Sequence, residues 1–320
     1  MAKLSYAPPF VPPDIVSGPW TPAARQRALE QEVEAHASRY IGRALQERAW
    51  SPWQHLPLEE IRQRGWQLSA PTIDLVEGFL GVEEYVGDYV QEGLTMFRRD
   101  RARRNLQLQW GAEEAKHGVV WELVLKESGV RTDQQLRLYI DQVRDEQWNL
   151  RQHPGMESPL GSTAYAMVQE RATYYHYQAI RGRIRAEYGL APTLTAEEQR
   201  RGAEIGAVEA CRLVGRDELA HHVLFLHLVR SHLKYFPSRT FAELKKVFAG
   251  FTMPALRFLP NRRAFLKAVR CTAMYSSTIY REKVYAPVLQ ALGLEKELAL
   301  TQVGPVALQE TIKSSVLPQC

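Results

Sequence analysis

Residues 110–121 read Trp-Gly-Ala-Glu-Glu-Ala-Lys-His-Gly-Val-Val-Trp. As a helix, this stretch puts Trp110, Glu114, His117 and Trp121 on one stripe, because positions three and four apart share a face. A carboxylate and an imidazole then aim at one point from a face otherwise built of large apolar side chains. Burying a carboxylate without a partner is costly, so Glu114 asks for a cation. A second stretch, Asp217-Glu218-Leu219-Ala220-His221, repeats the spacing, and Val214, Glu218, His221 and Phe225 form the matching stripe. One Glu-x-x-His pair is commonplace in a chain with nine histidines; the placement of both pairs mid-helix on apolar faces is the signal.

Two other segments carry lone acids in the same predicament: Glu83 after Phe79-Leu80-Gly81-Val82, and Glu170 between Tyr165-Ala166-Met167 and Tyr174-Tyr175. One Glu from each of two helices, with Glu-x-x-His from each of two others, is the ligand set of a carboxylate-bridged di-iron or di-manganese bundle. Four carboxylates carry about −4, which balances two divalent ions, and oxygen and nitrogen donors without thiolate favour iron or manganese. The competing reading is a set of buried hydrogen bonds or salt bridges to arginines such as Arg171. Register is open where acids or histidines adjoin: Glu84 beside Glu83, Glu113 beside Glu114, His222 beside His221.

Outward from these motifs the pattern is helical throughout. It predicts helices over Thr21–Arg48, Thr72–Phe97 with Pro71 in the first turn, Asp100–Lys126, a restart at Thr132-Asp133, Ser158–Tyr188, Thr195–Leu233, Thr240–Ala249, Arg262–Leu292 interrupted at Pro287, and Val306–Lys313. Trp50-Ser-Pro-Trp53 with Pro57, His153-Pro154-Gly155 and Gly189–Pro192 are breaks. No set of strands with period-two alternation and hairpin turns is found. The expected fold class is all-α, a ferritin-like long-helix bundle with a two-metal site in four core helices. Residues 1–22 hold six of the 18 prolines and are expected to lie as an extended arm, with residues 23–320 as one helical domain.

Composition sets outer limits. With 45% hydrophobic and 24% charged residues the chain is of the globular class. Apolar runs such as Val223-Leu224-Phe225-Leu226 fall far short of the roughly 20 residues that span a bilayer, and the Pro-rich start is not a secretory signal. A soluble, cytoplasmic protein is expected. Cys211, Cys271 and Cys320 fit neither a disulfide framework nor a zinc cluster and read as buried or terminal thiols. The net charge of +5 includes an arginine run at Arg98, Arg99, Arg101, Arg103 and Arg104. The aromatic and Gly-rich features of a nucleic-acid module are missing around it, so no nucleic-acid partner is expected; an acidic protein partner is the functional alternative to a solvated helix start.

These residues resemble the soluble acyl-acyl-carrier-protein desaturases. Trp110-Gly-Ala-Glu-Glu-Ala-Lys-His-Gly118 is similar to that family's W-x-A-E-E-x-x-H-G, Gln169-Glu-Arg-Ala-Thr173 matches its Q-E-R-A-T, and Asp217-Glu-Leu-Ala-His221 its D-E-x-x-H. Val82-Glu83-Glu84 resembles the first-ligand helix, and Met253-Pro254-Ala255 recurs as well; the likeness runs from about Trp50 to Ile312. The resemblance implies that Glu83, Glu114 and His117 hold one iron and Glu170, Glu218 and His221 the other, with Glu114 and Glu218 bridging. It implies a proton-delivery role for Thr173 and electron entry from a surface tryptophan, Trp50, through Asp217 to His117. It further implies O2-dependent insertion of a cis double bond into a saturated acyl chain on acyl carrier protein, with a ferredoxin-type electron donor and a homodimer. Tyr165, Met167, Tyr174, Trp110 and Trp121 are candidate linings of an acyl channel, and Arg98–Arg104 a candidate docking run for acidic partners. Two features depart from the family: Trp121 stands where an aliphatic residue is expected, and Arg181–Gln199 reads as an insertion that reshapes the channel mouth or a dimer surface. Alternative readings are another di-iron oxygenase acting on aldehydes, amines or hydrocarbons, a ribonucleotide-reductase-like radical subunit, and a non-catalytic ferritin-like iron binder.

Overall fold

A computed structural model of the chain describes residues 20–295 and 298, except 148, 150–154, 254 and 275. The expected arm before residue 20 and the expected helix at Val306–Lys313 lie outside the described residues. The described chain is helical, without a strand. Its elements are α1 (Pro22–Gln46), α2 (Pro52–His55), α3 (Leu58–Arg64), α4 (Ala70–Glu83), α5 (Val86–Met96), α6 (Arg101–Glu127), α7 (Asp133–Arg144), α8 (Pro159–Glu187), α9 (Ala196–Arg201), α10 (Ala207–Tyr235), α11 (Pro237–Gly250), α12 (Ala255–Phe258), α13 (Arg262–Cys271), α14 (Ser277–Tyr280) and α15 (Ala286–Leu292). No helix among them is long and apolar enough to cross a membrane.

Helix starts follow local chemistry. Thr21, Asp100 and Ser158 each accept a hydrogen bond from a backbone N–H of the first turn, at 3.2, 3.0 and 3.0 Å. Thr132 with Gln135, and Thr195 with Glu198, form reciprocal capping boxes. Pro22, Pro71 and Pro159 occupy first-turn positions where a missing N–H costs nothing.

Helices α4, α6, α8 and α10 form the inner bundle, with α1 packed across α6 and α10 and α13 against α4. Close approach depends on glycine at the last contact: a Cβ on Gly78 would lie 2.1 Å from the Phe265 ring. Trp121, Tyr165, Tyr177, Leu80 and Ile180 are among the largest fully buried side chains of a continuous apolar core.

Three expected helices are broken. The helix expected over Thr72–Phe97 divides at Glu84-Tyr85, just beyond Glu83. Tyr85 is drawn into the core, where its hydroxyl donates to the Phe258 carbonyl at 3.1 Å, while Glu84 turns out to Arg144 at 2.7 Å. The helix expected over Thr195–Leu233 is α9 and α10, separated by two positive-φ glycines, Gly202 (69°) and Gly206 (57°). The helix expected over Arg262–Leu292 breaks first after Cys271, where Ala273 takes φ 49°. Pro287 then enters the first turn of α15 behind a π-helical turn, Arg281–Tyr285. Its ring crowds the carbonyl of Lys283, four residues back, and that carbonyl accepts from Arg171 Nε at 3.1 Å instead. Cys211 is a buried free thiol, but Cys271 is disulfide-bonded, a correction that linear spacing of cysteines could not reveal.

Candidate metal centre

Each inner helix delivers its acid to the same depth of the bundle. Glu83 sits at the end of α4, Glu114 and His117 in mid-α6, Glu170 in mid-α8, and Glu218 and His221 in mid-α10, all buried. Their donor atoms form two overlapping groups, Glu83, Glu114, His117 and Glu218, and Glu114, Glu170, Glu218 and His221, with the atoms of each group within 4.8 Å of one another. Glu114 and Glu218 belong to both. His117 Nδ1 lies 3.3 Å from both Glu114 and Glu218; His221 Nδ1 lies 2.6 Å from Glu114 and 3.5 Å from Glu170.

The structure also resolves the neighbouring residues. Glu84 pairs with Arg144 outside the bundle, and His222 Nδ1 faces the Met167 carbonyl at 2.8 Å. Glu113 stands behind His221, with its carboxylate 3.3 Å from Nε2. Asp217 stands likewise behind His117, 3.6 Å from Nε2. Both imidazoles therefore present Nδ1 to the inner acids and Nε2 to an outer carboxylate, the arrangement that fixes tautomer and ring direction in metal-binding histidines.

The two outer carboxylates are themselves held. Trp50 Nε1 donates to Asp217 at 2.7 Å, and Lys116 Nζ lies 2.8 Å from the same oxygen and 4.2 Å over the Trp50 ring. Trp50 is 9% exposed, so it is a buried rather than a surface tryptophan: the lysine stem covers it. The Tyr40 hydroxyl donates to Glu113, whose other oxygen lies 3.6 Å from Arg48 Nη2. On the far side of the cluster, the Tyr177 hydroxyl donates to Glu83 and accepts from Trp121 Nε1 at 3.2 Å. Glu113, Tyr40, Arg48, Lys116 and Tyr177 had no assigned role in the sequence. Only Glu113 carried a signal, as the doubled acid of the motif.

Electrostatics at the cluster is that of acids crowded without a fixed cation. Among the described residues, no lysine or arginine nitrogen comes within 4.0 Å of the four inner carboxylates, and Arg171 points away to Lys283. Burial, and then the Glu114 charge, push Glu83 up to about 8. Burial with Glu114 and Glu170 raises Glu218 well above the carboxylate range. Burial would also raise Glu114, but His221 and His117 outweigh it and hold it low. Burial works against protonation of His117, yet Glu114 and Asp217 raise it well above the usual imidazole value. Glu114 Oε1, both Glu218 oxygens, both His117 nitrogens and His221 Nδ1 are buried, and the close contacts among them, such as His221 Nδ1 to Glu114, lack the direction of a hydrogen bond. Divalent ions fit this donor set, since they would satisfy the orphaned atoms and the charge at once.

A small cavity reaches the cluster between Glu83, Glu114, Glu170, Thr173 and Glu218. Thr173 is nearly buried, its hydroxyl donating to the Gln169 carbonyl at 3.0 Å. Tyr89, Trp110, Gln169 and Glu170 also wall a second cavity, which continues past Tyr165, Met156 and Phe225 to Gly93 and Phe97. Of the five expected lining residues, Trp110 and Tyr165 border it. Met167 is fully buried in the core and Tyr174 lies beside Arg171, because each falls on another face of α8 from Tyr165; Trp121 shares the face of Trp110 but lies three turns further along α6, against Tyr177. Arg181–Gln199 does not border it either: the cavity takes Ser162–Glu170 of α8, and this segment follows at the opposite end. Within the arginine run, Arg103 is buried against His232 (2.5 Å), leaving Arg98, Arg99, Arg101 and Arg104 exposed beyond Phe97.

No curated protein matches it in sequence. A solved structure from Mycobacterium tuberculosis H37Rv, provisionally identified as the acyl-ACP desaturase DesA2, is similar in fold: TM-score 0.56 at 18% identity, covering 86% of this chain and 98% of that one. The family model described as fatty acid desaturase matches residues 26–307. With that match over most of its length, the chain belongs to the fatty acid desaturase family.

Proposed function

We propose that this protein is an O2-dependent desaturase that places a cis double bond in a saturated fatty acyl chain carried on acyl carrier protein. The observation that carries the reading is the orphaned acid–histidine cluster opening on an aromatic-lined cavity that shares Tyr89, Trp110, Gln169 and Glu170 with it. The overall change joins the acyl methylene pair, O2, two electrons and two protons to give the alkene and two waters. Two irons held by Glu83, Glu114, His117, Glu170, Glu218 and His221 would supply the O2 chemistry that no side chain performs, and manganese suits the same donors.

The chain's own residues do the rest. Asp217 and Glu113 keep Nδ1 of each imidazole directed inward, and Tyr177 holds Glu83. Tyr89, Tyr165 and Trp110 position the acyl chain and exclude water. Thr173 stands within the cluster cavity with a hydroxyl able to turn from Gln169 and hand on a proton. Trp50, through Asp217, is the route for electrons from a ferredoxin-type donor. The exposed arginines Arg98, Arg99, Arg101 and Arg104, next to Phe97 of the cavity wall, suit an acidic carrier protein. A cytoplasmic homodimer completes the reading.

The test is metal analysis of purified protein, then single turnover of the chemically reduced form with O2 and saturated C16 or C18 acyl carrier protein, the acyl product being read by mass. Two irons and a product lighter by two hydrogens support the proposal. Two irons with no hydrogen lost move the substrate to another class, and a chain that takes up no metal under any loading condition overturns the reading. One observation favours a radical-storing subunit instead, namely the buried Tyr177, whose hydroxyl donates to Glu83 and accepts from Trp121. An organic-radical EPR signal after oxidation, without desaturation, would select it.

A further inference from the structure

Tyr177 and Trp121 form a line of two hydrogen bonds that ends on the cluster. Trp121 Nε1 donates to the Tyr177 oxygen at 3.2 Å, and the Tyr177 hydroxyl donates to Glu83 Oε1. The two rings stack, with centroids 5.2 Å apart and planes inclined by 27°. Both side chains are fully buried, and the Phe79 ring lies 4.9 Å from that of Tyr177, in the same apolar core as Val120 and Val124. Purely apolar side chains would fill this space with no polar atom to satisfy, so packing alone does not call for an N–H and an O–H in series.

Phenol and indole are readily oxidised by one electron, and each yields it most easily when an acceptor for its proton is already in place. Here the phenolic proton faces the Glu83 carboxylate, and the indole proton faces the phenolic oxygen. Neither ring lines the cluster cavity or the acyl cavity. Tyr89 and Trp110, also oxidisable and close to the cluster, wall both cavities, and Trp110 Nε1 donates to Glu170 at 3.2 Å. Oxidation of those two would damage the surface that holds the acyl chain.

We infer that Tyr177 and Trp121 are an internal source of two electrons, drawn on when O2 is activated with no acyl chain in place, which spares the aromatic wall of the acyl cavity. The inference rests on the desaturase reading, in which O2 takes two electrons from the donor and two, with two hydrogens, from the acyl methylene pair. Without that pair the balance closes on the chain. O2, two donor electrons, two protons, one hydrogen from the Tyr177 O–H and one from the Trp121 N–H give two waters, a tyrosyl radical and a tryptophanyl radical. Tyr177 goes first, its electron passing to the cluster and its proton to Glu83. Trp121 then refills Tyr177 with an electron and the proton of their shared hydrogen bond, and Tyr177 gives a second time.

The test uses the full-length iron-loaded protein, chemically reduced and mixed with O2 in the absence of acyl carrier protein. Freeze-quench EPR reads the radicals, ring-deuterated tyrosine or tryptophan assigns them, and peptide mass locates oxygen adducts. The wild type is expected to show a tyrosyl component followed by a tryptophanyl one, both suppressed when saturated acyl carrier protein is present and alkene forms. Tyr177→Phe is expected to lose both components and to gain oxygen adducts at Tyr89 or Trp110. Trp121→Phe is expected to lose the tryptophanyl component alone and to keep alkene formation in single turnover. No organic radical in the substrate-free wild type, or radicals that survive Tyr177→Phe, would overturn the inference. Should Tyr177→Phe fail to hold iron, Trp121→Phe decides: loss of the tryptophanyl component supports the inference, and its retention overturns it. Alkene from the same wild-type preparation keeps the desaturase reading whichever way the radicals fall, whereas a radical with no alkene from any acyl substrate removes that reading and the inference with it.

Discussion

Two groups of buried charge, one at mid-bundle around Glu170 and one near the end of α8 around Arg185, are built differently. Near the end of α8, Arg185 reaches Glu198 at 2.8 Å and Glu204 at 3.0 Å and donates to the carbonyls of Ala191 and Thr193. Arg181 also binds Glu204, and Arg212 binds Glu209 at 2.5 Å. In this group each acid has its guanidinium. In mid-bundle, Glu83, Glu114, Glu170 and Glu218 have two imidazoles and no guanidinium, and several of their atoms are orphaned. A closed network pins a segment; an open one of the same residue types could hold cations. The difference lies in the supply of fixed positive charge, not in burial, which the two share.

The comparison breaks most readily at Arg185. Arg185→Met strands Glu198, leaves Glu204 to Arg181 alone, and is expected to cost about 3–5 kcal/mol in denaturant unfolding while leaving metal content unchanged. Glu218→Gln is the mirror experiment. It is expected to lower metal retention under chelator by more than about 100-fold, yet to leave the melting temperature of the metal-free protein equal or higher, since it relieves repulsion from Glu114 and Glu170. A metal-free Glu218→Gln protein that melts well below wild type would mean the inner acids are structural after all.

Smaller effects sharpen the same contrast. Asp217→Asn and Glu113→Gln, which loosen the imidazoles without touching the inner acids, are each expected to cost about 10–100-fold in metal affinity, read by competition with a chelator of known strength. The pH dependence should separate the groups as well. Burial would raise Glu198, but Arg185 and the Thr195 cap hold it down at about 2. With its folded value depressed, this acid stabilises the fold above about pH 4.5 and loses that contribution as pH falls toward 2. Glu198→Gln should remove that component, on the order of 1 kcal/mol after solvent screening, from the acid limb of the stability curve. An unchanged acid limb in the variant would show that Glu198 is not the group responsible.

Much of this was readable before any coordinates. Glu-x-x-His is a local statement: once Arg101–Glu127 and Ala207–Tyr235 are helical, the 3.6-residue repeat places Glu114 with His117 and Glu218 with His221. Caps at Asp100, Thr132 and Ser158 and the first-turn prolines are equally local, and the helix starts agree closely. The choices between Glu113 and Glu114, or His221 and His222, are not local, since adjacent residues differ by about 100° in direction and only the facing helix says which direction is inward. Tyr40 shows the limit well. It lies 73 residues from Glu113, on a helix outside the motifs, and nothing about a tyrosine on an amphipathic stripe announces that its hydroxyl meets a carboxylate.

The chain alone therefore determined an all-helical bundle, the pairing of acid and histidine within each motif, and the surplus of buried carboxylate that asks for metal, because periodicity, capping and desolvation act over a few residues. Tertiary structure decided the rest: the break beyond Glu83 where Tyr85 is pulled toward Phe258, the separation of α9 from α10 around the Arg185 network, the burial of Trp50 under Lys116, and the meeting of Tyr40, Arg48 and Arg216 at one cleft. Each of these depends on contacts between residues far apart in the chain, whose free energies outweigh the small local preferences that sequence patterns record.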